Sequence, residues 1–210
     1  MRSVEHRIFV VLDRDYRDYI GCACKARTAL TDNHSIESMM FWSNSFARII
    51  SEYGSKRKIK NKYGDVESLR GAILDICVPI GRYRIFSQKN NKCIKFKEIK
   101  YSKFIDKKTL SIDVDKFLDI LNRQIANRTL IQKSDWENAQ AESFSGIYND
   151  PQFICHGHDL MTVTALSLQG ACGSQSGSFD TEFIESIFRA SYHDSELVET
   201  TMWKSIDTNL

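Results

Sequence analysis

The chain has no apolar run approaching the roughly 18–20 residues that a membrane span needs. Its start is charged from Arg2 onward and has no signal-peptide apolar core. Together these absences point to a cytoplasmic protein with no membrane partner. Zinc-knuckle chemistry is missing too. The six cysteines form no Cys-x-x-Cys pair, and Cys22 and Cys24 are too close for ordinary knuckle spacing. They read as reduced thiols, mostly buried. No internal repeat is present. Net charge is scarce as well, +2 over 210 residues, and on its own selects no class of partner. What remains is 42% hydrophobic residues, enough for a real core in one large domain or in a domain with an appended lobe.

The small net charge hides a large asymmetry. Residues 1–55 carry seven basic and seven acidic side chains, residues 56–108 carry 16 and 5, and residues 109–210 carry 6 and 15. A basic middle of this kind suits nucleic acid, because neutralisation of phosphates supplies most non-specific affinity. The densest run is Lys56-Arg57-Lys58-Ile59-Lys60-Asn61-Lys62. It reads either as a solvated loop or as a nucleic-acid contact through Lys56, Arg57, Lys58, Lys60 and Lys62, and the opposed charges could also pair with one another.

Arg7-Ile8-Phe9-Val10-Val11-Leu12-Asp13-Arg14-Asp15 has the continuous apolar composition of a buried parallel strand ending in two carboxylates. In open α/β sheets, ligands gather at the carboxyl ends of strands. On an extended backbone Asp13 and Asp15 point to the same side and could share one hard divalent cation, Mg²⁺ or Mn²⁺. The other reading is an acidic exit from a strand, with Arg14 and Arg17 as ionic partners.

Hydrophobic spacing gives an α-rich α/β chain. Thr28 to Thr31 reads as a second strand and Ser35 as the N-cap of a helix reaching about Tyr53. A Lys-rich loop follows. A helix starts near Asp65, with Pro79 expected to kink or break it. Ile94 to Ile105 alternates like a strand, Val114 to Ala126 reads as a helix, and Gln132 to Asn149 gives no clear pattern. Pro151 to Cys155 reads as a short strand, His156-Gly157-His158 as a turn, Asp159 to Gln169 as a helix, and Gly170 to Gly177 as a linker. Two helices, about 179–191 and 195–207, close the chain. Glu37 then lies in the first turn of a helix that follows a strand, where a carboxylate favours the helix dipole or serves as a third metal ligand. His158 and Asp159 occupy a similar turn, either capping it or serving chemistry.

Asp13-Arg14-Asp15-Tyr16, Thr31-Asp32-Asn33-His34-Ser35-Ile36-Glu37-Ser38 and Gly157-His158-Asp159-Leu160, with Ile187-Phe188-Arg189-Ala190 and Trp203-Lys204, resemble the successive motifs of a TOPRIM-related nuclease family. That family was long listed as a domain of unknown function. It includes the AriB nuclease subunit of PARIS anti-phage systems and is similar to the nuclease domain of OLD (overcoming-lysogenisation-defect) proteins. The resemblance spans nearly the whole chain through short motifs. It implies a TOPRIM-like α/β fold, a mostly parallel sheet flanked by helices, with a core of 1–53 and 131–210 and a basic, mostly helical insertion at 54–130. It also implies a Mg²⁺- or Mn²⁺-dependent phosphodiesterase acting on DNA or RNA beside an ATPase partner in anti-phage defence. Asp13, Asp15 and Glu37 would be catalytic metal ligands. His158 would stand where relatives often carry a lysine, and it would need a carboxylate such as Asp159, or bound phosphate, to stay protonated.

The sequence departs from that family's pattern at its start. TOPRIM domains carry a glutamate on an earlier strand, whereas only Met1 to His6 precede Arg7 here, with Glu5 as the sole acid. Three readings follow: an N-terminal truncation, a strand supplied by another chain, or an inactive interaction module partnering an ATPase. Without that neighbour, the Ile8 to Leu12 strand of the isolated chain would expose an apolar edge that invites pairing into a homo-oligomer.

Overall fold

A computed structural model describes residues 8–19, 21, 27–92, 94–124, 130–144, 146–174 and 179–209. Among the residues considered above, Glu5, Arg7, Cys22, Cys24, Cys93, Ala126 and 175–178 lie outside that set.

The protein is mixed α/β and mostly helical. Two short parallel strands, β1 (Val10–Leu12) and β2 (Thr28–Leu30), pair Val10 with Thr28, Val11 with Ala29 and Leu12 with Leu30. The helices α1 (Ile36–Trp42), α2 (Asn44–Tyr53), α3 (Lys56–Lys62) and α4 (Val66–Lys89) follow. A two-residue antiparallel pair, β3 (Ile105–Asp106) with β4 (Ser111–Ile112), precedes α5 (Val114–Gln124) and α6 (Lys133–Ala141). The chain ends with α7 (Pro151–Ile154), α8 (Gly157–Gln169), α9 (Thr181–Ser191), α10 (Asp194–Leu197) and α11 (Thr201–Asn209).

Helix α8 is the hub. Nearly all its residues are buried, as expected of a helix that is apolar all round, and it packs against α1, α4 and α9. Residues of 54–130 share this core, since Ile59, Leu69, Ile73, Tyr83 and Phe117 join Leu160, Met161 and Phe188 in one cluster. Helix α4 runs through Pro79 as one element of 24 residues. An interior proline costs about 3 kcal/mol. Burial of Leu69, Ile73, Ile76 and Ile80, worth about 1.5–3 kcal/mol each, outweighs that cost.

Several local expectations fail for identifiable reasons. The helix expected from Ser35 to Tyr53 is two helices, because Ser43 is extended and its hydroxyl accepts the Ser45 N–H at 3.1 Å, capping α2. The Lys-rich loop is helix α3, started by Ser55 and anchored by buried Ile59, with its cations facing solvent. Residues 94–105 form two 3₁₀ turns, Phe96–Glu98 and Tyr101–Lys103, rather than a strand. Phe96 with Ile99, and Tyr101 with Phe104, have the i, i+3 spacing at which 3₁₀ side chains eclipse. Pro151 opens a helix, not a strand: Asp150 accepts the Gln152 N–H at 2.8 Å and proline suits the first helical position. Residues 170–174 of the expected linker are packed: Gly173 bridges Gly54, and Cys172 C=O accepts the Ser55 N–H at 2.6 Å.

The sheet departs most from the sequence reading. Among the described residues β1 pairs only with β2, and it is exposed rather than buried, with Val10 and Val11 at 40% and 44% and Ile8 just before it at 59%. Ala29 of β2 packs with Met39 and with Met202 of α11, whose first-turn N–H groups at Thr201 and Met202 are both accepted by Asp32 at 2.7 Å.

Candidate functional site

The chain leaves β1 at Leu12 and turns at once. Asp13 Oδ1 accepts the N–H of Ile36 at 3.2 Å, which fixes this carboxylate at the start of α1. Asp15 lies in a left-handed turn at φ 48°, its N–H donating to His34 C=O at 2.8 Å. The extended backbone that would point Asp13 and Asp15 to the same side therefore ends before Asp15. The two still sense each other. Partial burial raises Asp13, offset by the Ile36 N–H and reinforced by Glu37, and partial burial followed by repulsion from Asp13 raises Asp15.

Glu37 follows in the same first turn, where its Oε2 accepts the Ser35 hydroxyl at 2.8 Å. The start of α8 packs directly on it. A Cβ on Gly157 would come within 2.2 Å of Ser35 Oγ and 2.7 Å of Glu37 Cβ, so only glycine lets the two helix starts meet this closely.

Across that junction lies a recess lined by nitrogen-bearing side chains. Arg84 of α4, Lys97, His156 and His158 line a pocket of about 300 Å³. Arg84 donates to both oxygens of buried Asp159, at 2.8 and 2.6 Å, and stacks over Phe96 at 4.2 Å. Burial alone would raise the Asp159 carboxyl, but the Arg84 guanidinium holds it below the usual range. The carboxylate beside His158 is therefore not Asp159 but Glu185 of α9, whose Oε1 lies 2.9 Å from His158 Nδ1. His34 lies beneath the pocket, fully buried, with neither ring nitrogen hydrogen-bonded and its ring 5.0 Å from that of His156. Burial pushes His34 down to about 3 and His156 down to about 4, so both imidazoles are neutral at pH 7.

Of the residues singled out in the sequence, Asp13 and Glu37 meet at the first turn of α1, and His158 stands across Gly157 from Glu37. Lys56, Arg57, Lys58, Lys60 and Lys62 project from α3, which is a separate element. Among the described residues, no group of three or more His, Cys, Asp or Glu is arranged to hold a metal ion. Asp13, Asp15 and Glu37 thus form no closed cage. A Mg²⁺ or Mn²⁺ here would be held through only one or two of these carboxylates and completed by water and phosphate, the usual arrangement for Mg²⁺. Sequence reasoning missed Arg84, Lys97 and His34. A signal for Arg84 existed: it follows Ile76 and Ile80 at four-residue spacing, on the buried stripe of α4, where a cation requires a buried acid.

The chain matches no protein-family model, and no curated protein or solved structure is significantly similar to it. Among the described residues, no helix is long and apolar enough to cross a membrane.

Proposed function

We propose that this chain is a nuclease-like domain that binds and cleaves phosphodiesters where the starts of α1 and α8 meet. The observation that carries this reading is the juxtaposition, across Gly157, of the carboxylates of Asp13 and Glu37 with a recess that holds exposed Lys97, His158 and the Arg84–Asp159 pair. A phosphodiester needs both. Cations and the positive end of the 13-residue helix α8 favour its anionic oxygens, and carboxylates hold the divalent ion that shares it. Asp13 and Glu37, with Asp15 beside them, would hold Mg²⁺ or Mn²⁺, which when bound supplies an activated water and neutralises charge on the attacked phosphate. His158, held by Glu185 through Nδ1 and lining the recess, would contact the phosphate oxygens. The motif resemblance adds nucleic acid as the substrate class and an ATPase partner in anti-phage defence.

The test is calorimetric titration of Mn²⁺ into the full chain, alongside Mn²⁺-dependent cleavage of labelled DNA and RNA. Asp13→Asn with Asp15→Asn should weaken Mn²⁺ binding at least about tenfold, or 1.4 kcal/mol, and abolish cleavage. Folding should persist, because removing two neighbouring like charges relieves repulsion. Mn²⁺ affinity unchanged in that double variant overturns the assignment. A second reading, a non-catalytic module that docks on a defence ATPase, is favoured by the exposed apolar β1. It requires Mn²⁺-dependent cleavage to be absent from the wild-type chain.

A further inference from the structure

We infer that a nucleic-acid strand reaches this centre along a cationic track that follows α8 from its first turn to its last and continues onto α3. This rests on the phosphodiester reading above and specifies where the polyanion lies. Helix α8 buries every residue except His158, Thr162 and Gln169, which share one face at helical spacing. That face is the floor of a surface groove. His158 closes the pocket holding Arg84 and Lys97, and it also opens a second recess of about 280 Å³ that runs past Lys100, Thr162 and Gln169. At the far end Gly170 abuts Lys107: a Cβ there would lie 2.3 Å from the Lys107 C=O. Ala171, next in the chain, floors a third recess walled by Arg57, Lys58 and Lys62. Lys62 Nζ donates to the Lys108 C=O, joining α3 to the β3–β4 turn.

Many lysines off this course are neutralised, although exposed Lys103 is not. Lys89, Lys92, Lys95, Lys116 and Lys133 sit in ion pairs. Among the described residues, Lys97, Lys100, Lys107 and Lys62 are in none, and all four are exposed. Three acids lie along this course and each is engaged: Asp106, beside Lys107, accepts the N–H groups of Lys108 and Thr109 at 2.7 and 3.2 Å and lies near Lys62. Glu185 holds His158, and Asp180 caps α9 by accepting the Phe183 N–H at 2.8 Å. The lysines outnumber the acids on the side away from α9, and a phosphate backbone would run along that side. The 13 residues of α8 span about 20 Å. At about 3.4 Å per phosphate of a stacked strand, that length accommodates about six phosphates.

The experiment measures fluorescence anisotropy of labelled single strands of about twelve nucleotides, roughly twice that span, as DNA and as RNA, with the full chain in EDTA. Lys97→Glu, Lys100→Glu, Lys107→Glu and Lys62→Glu should each weaken binding about fivefold and lower the salt slope by about 0.7. Lys116→Glu and Lys204→Glu change net charge equally off the track, and should leave affinity within about twofold of wild type. DNA and RNA losses of equal size indicate recognition of the shared backbone, and a loss confined to one identifies the strand that the track carries. If Lys62→Glu weakens binding but Lys100→Glu and Lys107→Glu do not, α3 binds alone and the track is refuted. Losses as large at Lys116 and Lys204, or no binding by wild type, refute it too. Because EDTA removes the metal, failure here leaves the Mn²⁺ assignment of Asp13 and Asp15 untouched, and failure there leaves the track standing.

Discussion

Replacing Asp159 by asparagine removes one charge from the most deeply buried ion pair and leaves the side chain's shape almost unchanged. The side chain of Asp159 is 0% exposed and that of Arg84 11%, and the guanidinium grips both carboxylate oxygens while donating to Tyr101 Oη at 3.4 Å. Intact, such a pair adds little net stability, since desolvation of both ions cancels most of the attraction. Broken, it strands a buried cation at a cost of about 3–5 kcal/mol. With total stabilities of about 5–15 kcal/mol, this is a large fraction. In urea unfolding followed by the fluorescence of Trp42, Trp136 and Trp203, a slope of about 2 kcal/mol per molar converts it into a midpoint lowered by about 2 M.

The pH dependence has a definite sign. Asp159 is depressed in the folded state, so its contribution is complete above the unfolded value near 3.9 and is lost as pH falls through the lower folded value. The gap between wild type and Asp159→Asn should therefore be full at pH 7 and close only below about pH 3.9. Replacing both partners, Arg84→Met with Asp159→Leu, should recover most of the loss, because no charge is then buried alone. A gap under about 1 kcal/mol at neutral pH, or one that persists unchanged in strong acid, would refute the reasoning and mean that water reaches the pair.

Two further outcomes follow from other buried and exposed groups. His34, held down to about 3, supplies stability that is complete above its unfolded value of about 6.5 and is lost as pH falls towards 3. At about 1.4 kcal/mol per pH unit, this amounts to about 2 kcal/mol at pH 5. His34→Phe should remove that loss, so the urea midpoint should change less between pH 7 and pH 5 than in wild type. An undiminished change would assign acid sensitivity elsewhere. At the exposed edge, wild type should associate with rising concentration in sedimentation, and Val11→Lys should abolish the association, since an inserted charge blocks edge-to-edge pairing. A wild type that stays monomeric throughout would show that the Ile8–Val11 edge does not pair.

How far the site could be read from sequence depended on whether its signals were local. The Ser35 cap, the start of α4 at Asp65 and the carboxylate of Glu37 inside a helix were legible, because a cap needs only a side chain and the next few N–H groups. The same-side geometry of Asp13 and Asp15 was not. It assumed extended backbone through a residue that the structure turns at φ 48°. Arg84 was invisible as a site residue because its partner lies 75 positions away, and only the packing of α4 on α8 brings them together. The basic run shows the same limit. Sequence counted 16 cations between residues 56 and 108 and read the densest of them as a loop. Folding placed them in two classes that counting cannot separate. Lys89, Lys92 and Lys95 are in ion pairs with neighbouring acids, while Lys97, Lys100 and Lys107 near α8, and Lys62 on α3, are in no ion pair among the described residues. An unpaired cation has its full charge to offer a phosphate. The proposed track therefore rests on the sorting of lysines by their partners rather than on the total of +11.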